Sequence, residues 1–387
     1  MTASAATRFG LVRMDPRDPT EPHRTASPLE LLFDLVFVVA VSVSSKALFD
    51  VEAEGQLLDA VGGYLAVFFA IWWAWMGFTW FATSFDTNDW LYRITTVLQM
   101  AGALVIASGA KAVILEGDIT WVVIGYVVMR VGTVAQWVRV AVTNPSYRGT
   151  ALRYAFGITG LQVLWVLLLW VPSGWLAPCF LVLVVLEALV PVVAERHRPT
   201  PWHPHHITER YGLFTIILLG ESILASSNAI FAAIDGGEEP GPFLVIAFLG
   251  LVIVAGMWWV YFARSMHGQV TTMGSAFRFG YFHYAIFAAA GAYSAGVEVA
   301  VATAEHATHL DPVIARATLA VPVSLFVLGV WWLALRPSLA PAVNVAVVAL
   351  CVVIAASVVV PASMAVIAAA MVAIVVLVER SGARAPA

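Results

Sequence analysis

Twelve runs of about 20 mostly apolar residues follow one another along this chain, and that pattern constrains the fold more than any other feature. A bilayer core is about 30 Å thick, which an α-helix crosses in roughly 20 residues. The runs lie near 29–49, 58–82, 92–115, 119–142, 151–171, 175–195, 208–231, 242–264, 277–303, 312–335, 340–358 and 361–379. Only a tight break before Pro361 separates the last two, so a hairpin that stops short of crossing is open there. A soluble domain is about 45–50% apolar and 25% charged. This chain of 387 residues is 61% hydrophobic and 11% charged. The expected fold is all-α, a polytopic helical membrane protein of about twelve transmembrane helices. The first 28 residues are polar and interrupted by Pro16, Pro19, Pro22 and Pro28. The first apolar run is long enough to act as an anchor rather than a cleaved signal.

The distribution of basic residues tests the count and orients the chain. With the N-terminus in the cytoplasm, Arg8, Arg13, Arg17, Arg24, Arg93, Arg139, Arg148, Arg153, Arg196, Arg198, Arg210, Arg264, Arg278, Arg336, Arg380 and Arg384 all fall on that side. Lys46, Lys111 and Arg316 fall on the other side at helix ends, where they can snorkel. The outer loops are acidic, with Asp50, Glu52, Glu54 and Asp59, then Glu116 and Asp118, then Asp235, Glu238 and Glu239. Both termini are expected in the cytoplasm. The organisation is a polar segment over 1–28, six spans over 29–195, a His-rich cytoplasmic linker over 196–207, six spans over 208–379 and a tail over 380–387. The halves hint at two parallel six-helix repeats. Pro28 to Asp34 opens the first span much as Thr208 to Phe214 opens the seventh, and tryptophans follow in each half at Trp72, Trp73, Trp75 and at Trp258, Trp259.

Ionisable groups deep in a bilayer cost about 2.5–3.5 kcal/mol or more each, so they face a bundle interior. At 1.5 Å per residue, Arg130 lies about 16 Å into the fourth span and Glu187 about 18 Å into the sixth, both counted from outside. Glu221 lies about 20 Å into the seventh, counted from the cytoplasm. Asp34 sits nearer the cytoplasmic end of the first. Arg130, Glu187 and Glu221 thus suggest a polar midplane site, in which Arg130 holds one carboxylate ionised while another carries a proton; with Asp34, they are the candidate substrate or ion pathway. The alternative is a buried Arg–Glu pair that fixes packing. In the ninth span His283, Phe287, Gly291, Ser294 and Glu298 share one helical face, which suits a polar pathway. His203, His205 and His206 stand beside Glu209, but their spacing fits no standard zinc pattern, and a solvated loop entering a helix at Thr208 is the expected structure. Cys179 and Cys351 read as core residues. No metal or other cofactor is expected.

Two motifs carry a family resemblance. Glu30-Leu31-Leu32-Phe33-Asp34-Leu35-Val36-Phe37 and the run from His206 through Glu209, Arg210 and Gly212 to Leu219-Gly220-Glu221 resemble those of the bacterial low temperature requirement protein A family. Trp72-Trp73-Ala74-Trp75, Phe85-Asp86 and Tyr281-Phe282-His283 with Glu298 are similar to further family patterns. Glu187 stands where the family usually has Asp, and Ala285 where a proline would kink the ninth helix. The resemblance implies a multi-pass protein of the bacterial cytoplasmic membrane, linked by name to growth in the cold. It implies no substrate or reaction.

Three functions compete. A secondary transporter or ion-coupled permease fits the span count and the midplane charges. Its partners would be the lipid bilayer and a small solute or ion. A lipid-modifying membrane enzyme would need His203, His206, Glu209 or His283, but neither H-E-x-x-H nor an aspartate-rich diphosphate motif is present. A non-catalytic sensor of membrane stress is the third. The formal net charge of −4 and the lack of a basic motif exclude a nucleic-acid partner.

Overall fold

The computed structural model describes residues 10–22, 24–53, 57–308 and 310–382. Arg8, Glu54, Arg384 and the side chain of Asp59 lie outside the described residues. The described chain is helical, without strands, and twelve helices are long and apolar enough to cross a membrane. We number them α1 (Pro28–Ala53), α2 (Leu57–Phe85), α3 (Trp90–Ser108), α4 (Thr120–Thr143), α5 (Arg148–Leu167), α6 (Ser173–Glu195), α7 (Pro204–Asp235), α8 (Pro240–Phe262), α9 (Met273–Ala304), α10 (Pro312–Val330), α11 (Pro341–Ala356) and α12 (Ser363–Gly382). The third span breaks at Gly109 and continues as a short helix, Ala110–Glu116. The last two spans cover 19 residues each, at 341–359 and 363–381, so both have the length to cross.

Two boundaries differ from the sequence reading. The first helix runs on to Ala53, which places Asp50 and Glu52 on the helix rather than in a loop, and Glu52 is only 3% exposed. The seventh begins at Pro204, not Thr208, because proline suits the first helical position. Thr208 bonds back to the carbonyls of Pro204 and His205 and is not a cap.

Two compact units emerge, and neither is one sequence half. The first holds Met1–Ala40 and Phe69–Arg210, the second Val41–Phe68 and Tyr211–Ala387. In the first unit α3 and α4 touch backbone to backbone. A Cβ on Gly125 would stand 2.5 Å from the Ile106 amide nitrogen, so only glycine permits this approach. A polar ladder runs along the same seam. Gln136 bonds Gln99 at 3.3 Å and Thr95 at 3.1 Å, and Thr133 donates to Gln99 at 3.1 Å.

The segment before α1 is bound to this unit rather than free. Arg24 donates to the carbonyls of Thr83 and Ala82 at the end of α2, and Met14 is fully buried with its amide on Thr143. Asp89, between α2 and α3, accepts from the Val12 amide and pairs with Arg139. Burial alone would raise the Asp89 pKa, but the bonds from Arg139, Tyr92 and Val12 outweigh it and hold the carboxyl below its ordinary value.

In the second unit α9 is the central helix. It packs on α10 so closely that a Cβ on Gly296 would overlap the Thr318 carbonyl. α10 ends in one π-helical turn, Trp331–Leu335. Cys351 is buried and Cys179 half-buried, both as free thiols.

Candidate functional site

The first unit holds two buried ionic clusters. Glu30 and Asp34 lie one turn apart on α1, and His206 and Arg210 one turn apart on α7. The two pairs face each other rung by rung. Arg210 approaches Glu30 at 2.8 Å and grips Asp34 through Nη2 at 2.5 Å and Nε at 3.2 Å. His206 Nε2 lies 3.2 Å from Glu30, and the Trp75 indole donates to Asp34 at 2.7 Å. All four ionisable residues are at most 2% exposed. Glu30 also caps its own helix, by accepting from the Ser27 amide at 2.8 Å while Ser27 Oγ accepts from the Glu30 amide. Phe33 stacks on Phe37 and Phe78 behind the cluster.

The sequence reading of His206 and Arg210 as part of a solvated entry is therefore corrected. Helix formation from Pro204 turns both inward onto α1. Of the two histidines just before His206, His203 contacts the Glu21 carbonyl at 2.9 Å and His205 is exposed.

The second cluster joins Arg130 on α4 to Glu187 on α6 at 3.3 Å. Glu187 also accepts from the indoles of Trp73 at 2.9 Å and Trp165 at 3.1 Å, and from Gln162 at 3.5 Å. Arg130 donates to the Tyr126 hydroxyl at 2.6 Å. A carboxylate with this many donors is held in place, and the surroundings leave it little freedom to change partners.

The second unit arranges its charges differently. A cavity of about 480 Å³ is lined by Ser42 and Lys46 from α1, Glu221 and Asn228 from α7, Ser294 and Glu298 from α9, and Glu305 just beyond the end of α9. These positions fall in the second halves of α1 and α7 and the last third of α9. Ser42 donates to Glu221 at 2.5 Å. Lys46 Nζ stands 3.1 Å from Glu298, 3.4 Å from Asp50 and 4.1 Å from the centre of the Phe49 ring. The cavity thus recognises an alkylammonium of its own with carboxylates and an aromatic face.

Of the residues singled out in the sequence, Glu221 and Glu298 meet at this cavity. Arg130 and Glu187 meet each other in the first unit, as do Asp34, Glu30, His206 and Arg210. His283 lines neither cluster nor cavity. Its Nε2 meets the Tyr261 hydroxyl at 2.9 Å and its Nδ1 the Phe279 carbonyl at 2.7 Å, with Tyr211 and Phe287 closing over the ring. Gly212 admits the Phe262 ring, which would stand 3.1 Å from a Cβ there. Glu209 is half-buried at the start of α7. The sequence reading missed Trp73, Trp75, Trp165, Ser42 and Lys46 as site residues. Tryptophans far from a span's end, where no interface can hold them, are the signal that would have found Trp73 and Trp75. The tryptophans that suggested a repeat occupy opposite environments: Trp72, Trp73 and Trp75 are buried, whereas Trp258 and Trp259 are each 45% exposed.

Comparison with known proteins gives two findings. The family model for the bacterial low temperature requirement A protein (LtrA) matches residues 25–378. A protein of Rhizobium meliloti (strain 1021), described as uncharacterized protein RA0937, is 28% identical over an alignment of 263 residues that covers 64% of this chain and 60% of that protein. The match thus spans about three-fifths of that relative's length.

Proposed function

The chain belongs to the bacterial low temperature requirement A family and is a multi-pass membrane protein, and on that footing we propose that it is a secondary transporter, an ion-coupled permease for a small cation. The observation that carries this reading is the charged cavity of the second unit. Its lining places three carboxylates, Glu221, Glu298 and Glu305, against one ammonium, Lys46. That imbalance favours a cationic guest. Lys46 is 55% exposed along its side chain and can yield Glu298 to an incoming cation. Glu221, which accepts a hydrogen bond from Ser42 and borders the cavity, is the group best placed to couple binding to proton or cation movement. The arginine bias and the bacterial family support the cytoplasmic membrane, with both termini inside.

The test is flux in proteoliposomes loaded with a pH-sensitive dye, under an imposed membrane potential and across a panel of small cations. The expected outcome is flux in wild type that Glu221→Gln abolishes without loss of folded protein. No flux in folded wild type would move the protein to the sensor reading.

A further inference from the structure

A second recess in the same unit has the opposite electrostatics. It is a cleft of about 600 Å³ between the loop that enters α9 and the end of α10. Arg278 and Arg336, the hydroxyls of Thr271, Thr272 and Ser275, and the Trp332 ring line it, and no carboxylate is among the lining residues. The Arg336 guanidinium stacks over Trp332 at 4.6 Å. Neither guanidinium has a carboxylate partner among the described residues. Two arginines without counter-charge, beside the Thr271 hydroxyl, are suited to phosphate oxygens, which a guanidinium takes two at a time.

The walls are held in place. Gln269 donates to the Ala334 carbonyl at 3.5 Å, which ties the loop to the end of α10. Thr272 and Ser275 form a reciprocal capping box that fixes the first turn of α9. Asn344 accepts from the Trp331 indole at 2.7 Å and donates to the Arg336 and Leu339 carbonyls. The cleft is therefore present before any ligand arrives.

Its place selects the ligand. It lies where α9 begins and α10 ends, the side to which the basic residues of the chain are biased. That is the leaflet rich in anionic lipid. Trp332 is 49% exposed, as a ring at the boundary between headgroups and acyl chains would be. We propose that this cleft binds the phosphodiester headgroup of an anionic phospholipid, with Arg278 and Arg336 gripping the phosphate, the Thr271 hydroxyl donating to a remaining oxygen and Trp332 flanking the glycerol. The site is independent of the transport reading.

The experiment uses the full chain, purified and delipidated in detergent. Thermal unfolding is followed with added phosphatidylglycerol, phosphatidylcholine or inorganic phosphate, in wild type and in the Arg278→Gln/Arg336→Gln double variant. Phosphatidylglycerol should raise the wild-type midpoint, and the double variant should lose at least about half of that shift, since stabilisation follows affinity. Phosphatidylcholine and inorganic phosphate should leave the midpoint unchanged. An equal shift in both proteins would overturn the proposal. A shift with inorganic phosphate alone would also overturn it, in favour of a free-anion site. Should the double variant fail to fold, native mass spectrometry of wild type decides: retention of phosphatidylglycerol over phosphatidylcholine supports the site, and equal retention removes it.

Discussion

The two units use ionisable residues in opposite ways. In the first, each buried charge is enclosed by partners from other helices: Asp34 by Arg210 and Trp75, Glu187 by Arg130, Trp73 and Trp165. In the second, Lys46, Glu221 and Glu298 border a cavity, and Lys46 is half exposed beside its carboxylate partner Glu298. A charge surrounded by donors is part of the packing. A charge beside open volume can exchange its partner. The same residue types therefore carry structure in one place and, on our reading, chemistry in the other.

The sharpest way to break this contrast is Arg210→Met. It leaves Glu30 and Asp34 buried without their cation, and removing one partner of a buried pair typically costs about 3–5 kcal/mol. Loss of monodisperse protein on size exclusion is expected, with partial recovery when Glu30→Gln and Asp34→Asn are added. A stable single variant would end the structural reading of this cluster. Arg130→Ala should be milder, at about 1–3 kcal/mol, because Trp73, Trp165 and Gln162 still satisfy Glu187. Adding Glu187→Gln should restore part of the loss in a thermal melt. If the double variant is no more stable than the single, the pair does not act as a unit. In the second unit, Lys46→Met should change stability by less than about 1 kcal/mol, as half-exposed ion pairs do, while altering cation selectivity in the flux assay. Glu221→Gln should shift the melting midpoint least of all and remove flux. A large destabilisation by either would show that the cavity charges are packing elements too.

The spans were legible because each depends only on local composition. So were Arg130 and Glu187, since a charge deep in an apolar run stands out without any knowledge of its neighbours. Their pairings were not. Asp34 and Arg210 are 176 positions apart, and no helical spacing links them. Arg210 was hidden for a further reason: near a helix end it counts toward the arginine bias whether it faces water or α1. Glu52 failed the same way, as an acidic residue near a span's end that looks like loop until the extra helical turn buries it. The tryptophan donors were hidden behind their commoner role as interface anchors. The cavity was legible only in pieces, as a face of α9 and as Glu221 deep in α7, because its walls come from three helices and Ser42 and Lys46 on α1 gave no signal of their own.

The distance in sequence between the two halves of the first ionic cluster has a consequence for synthesis. Ribosomes add about 5–20 residues per second. The 176 positions between Asp34 and Arg210 therefore amount to roughly 9–35 s in which α1 exists and its counter-charge does not. During that interval Glu30 and Asp34 must be held at the insertion machinery or shielded by water at the membrane surface. The first helix of this protein is settled among the last, when the seventh arrives to neutralise it.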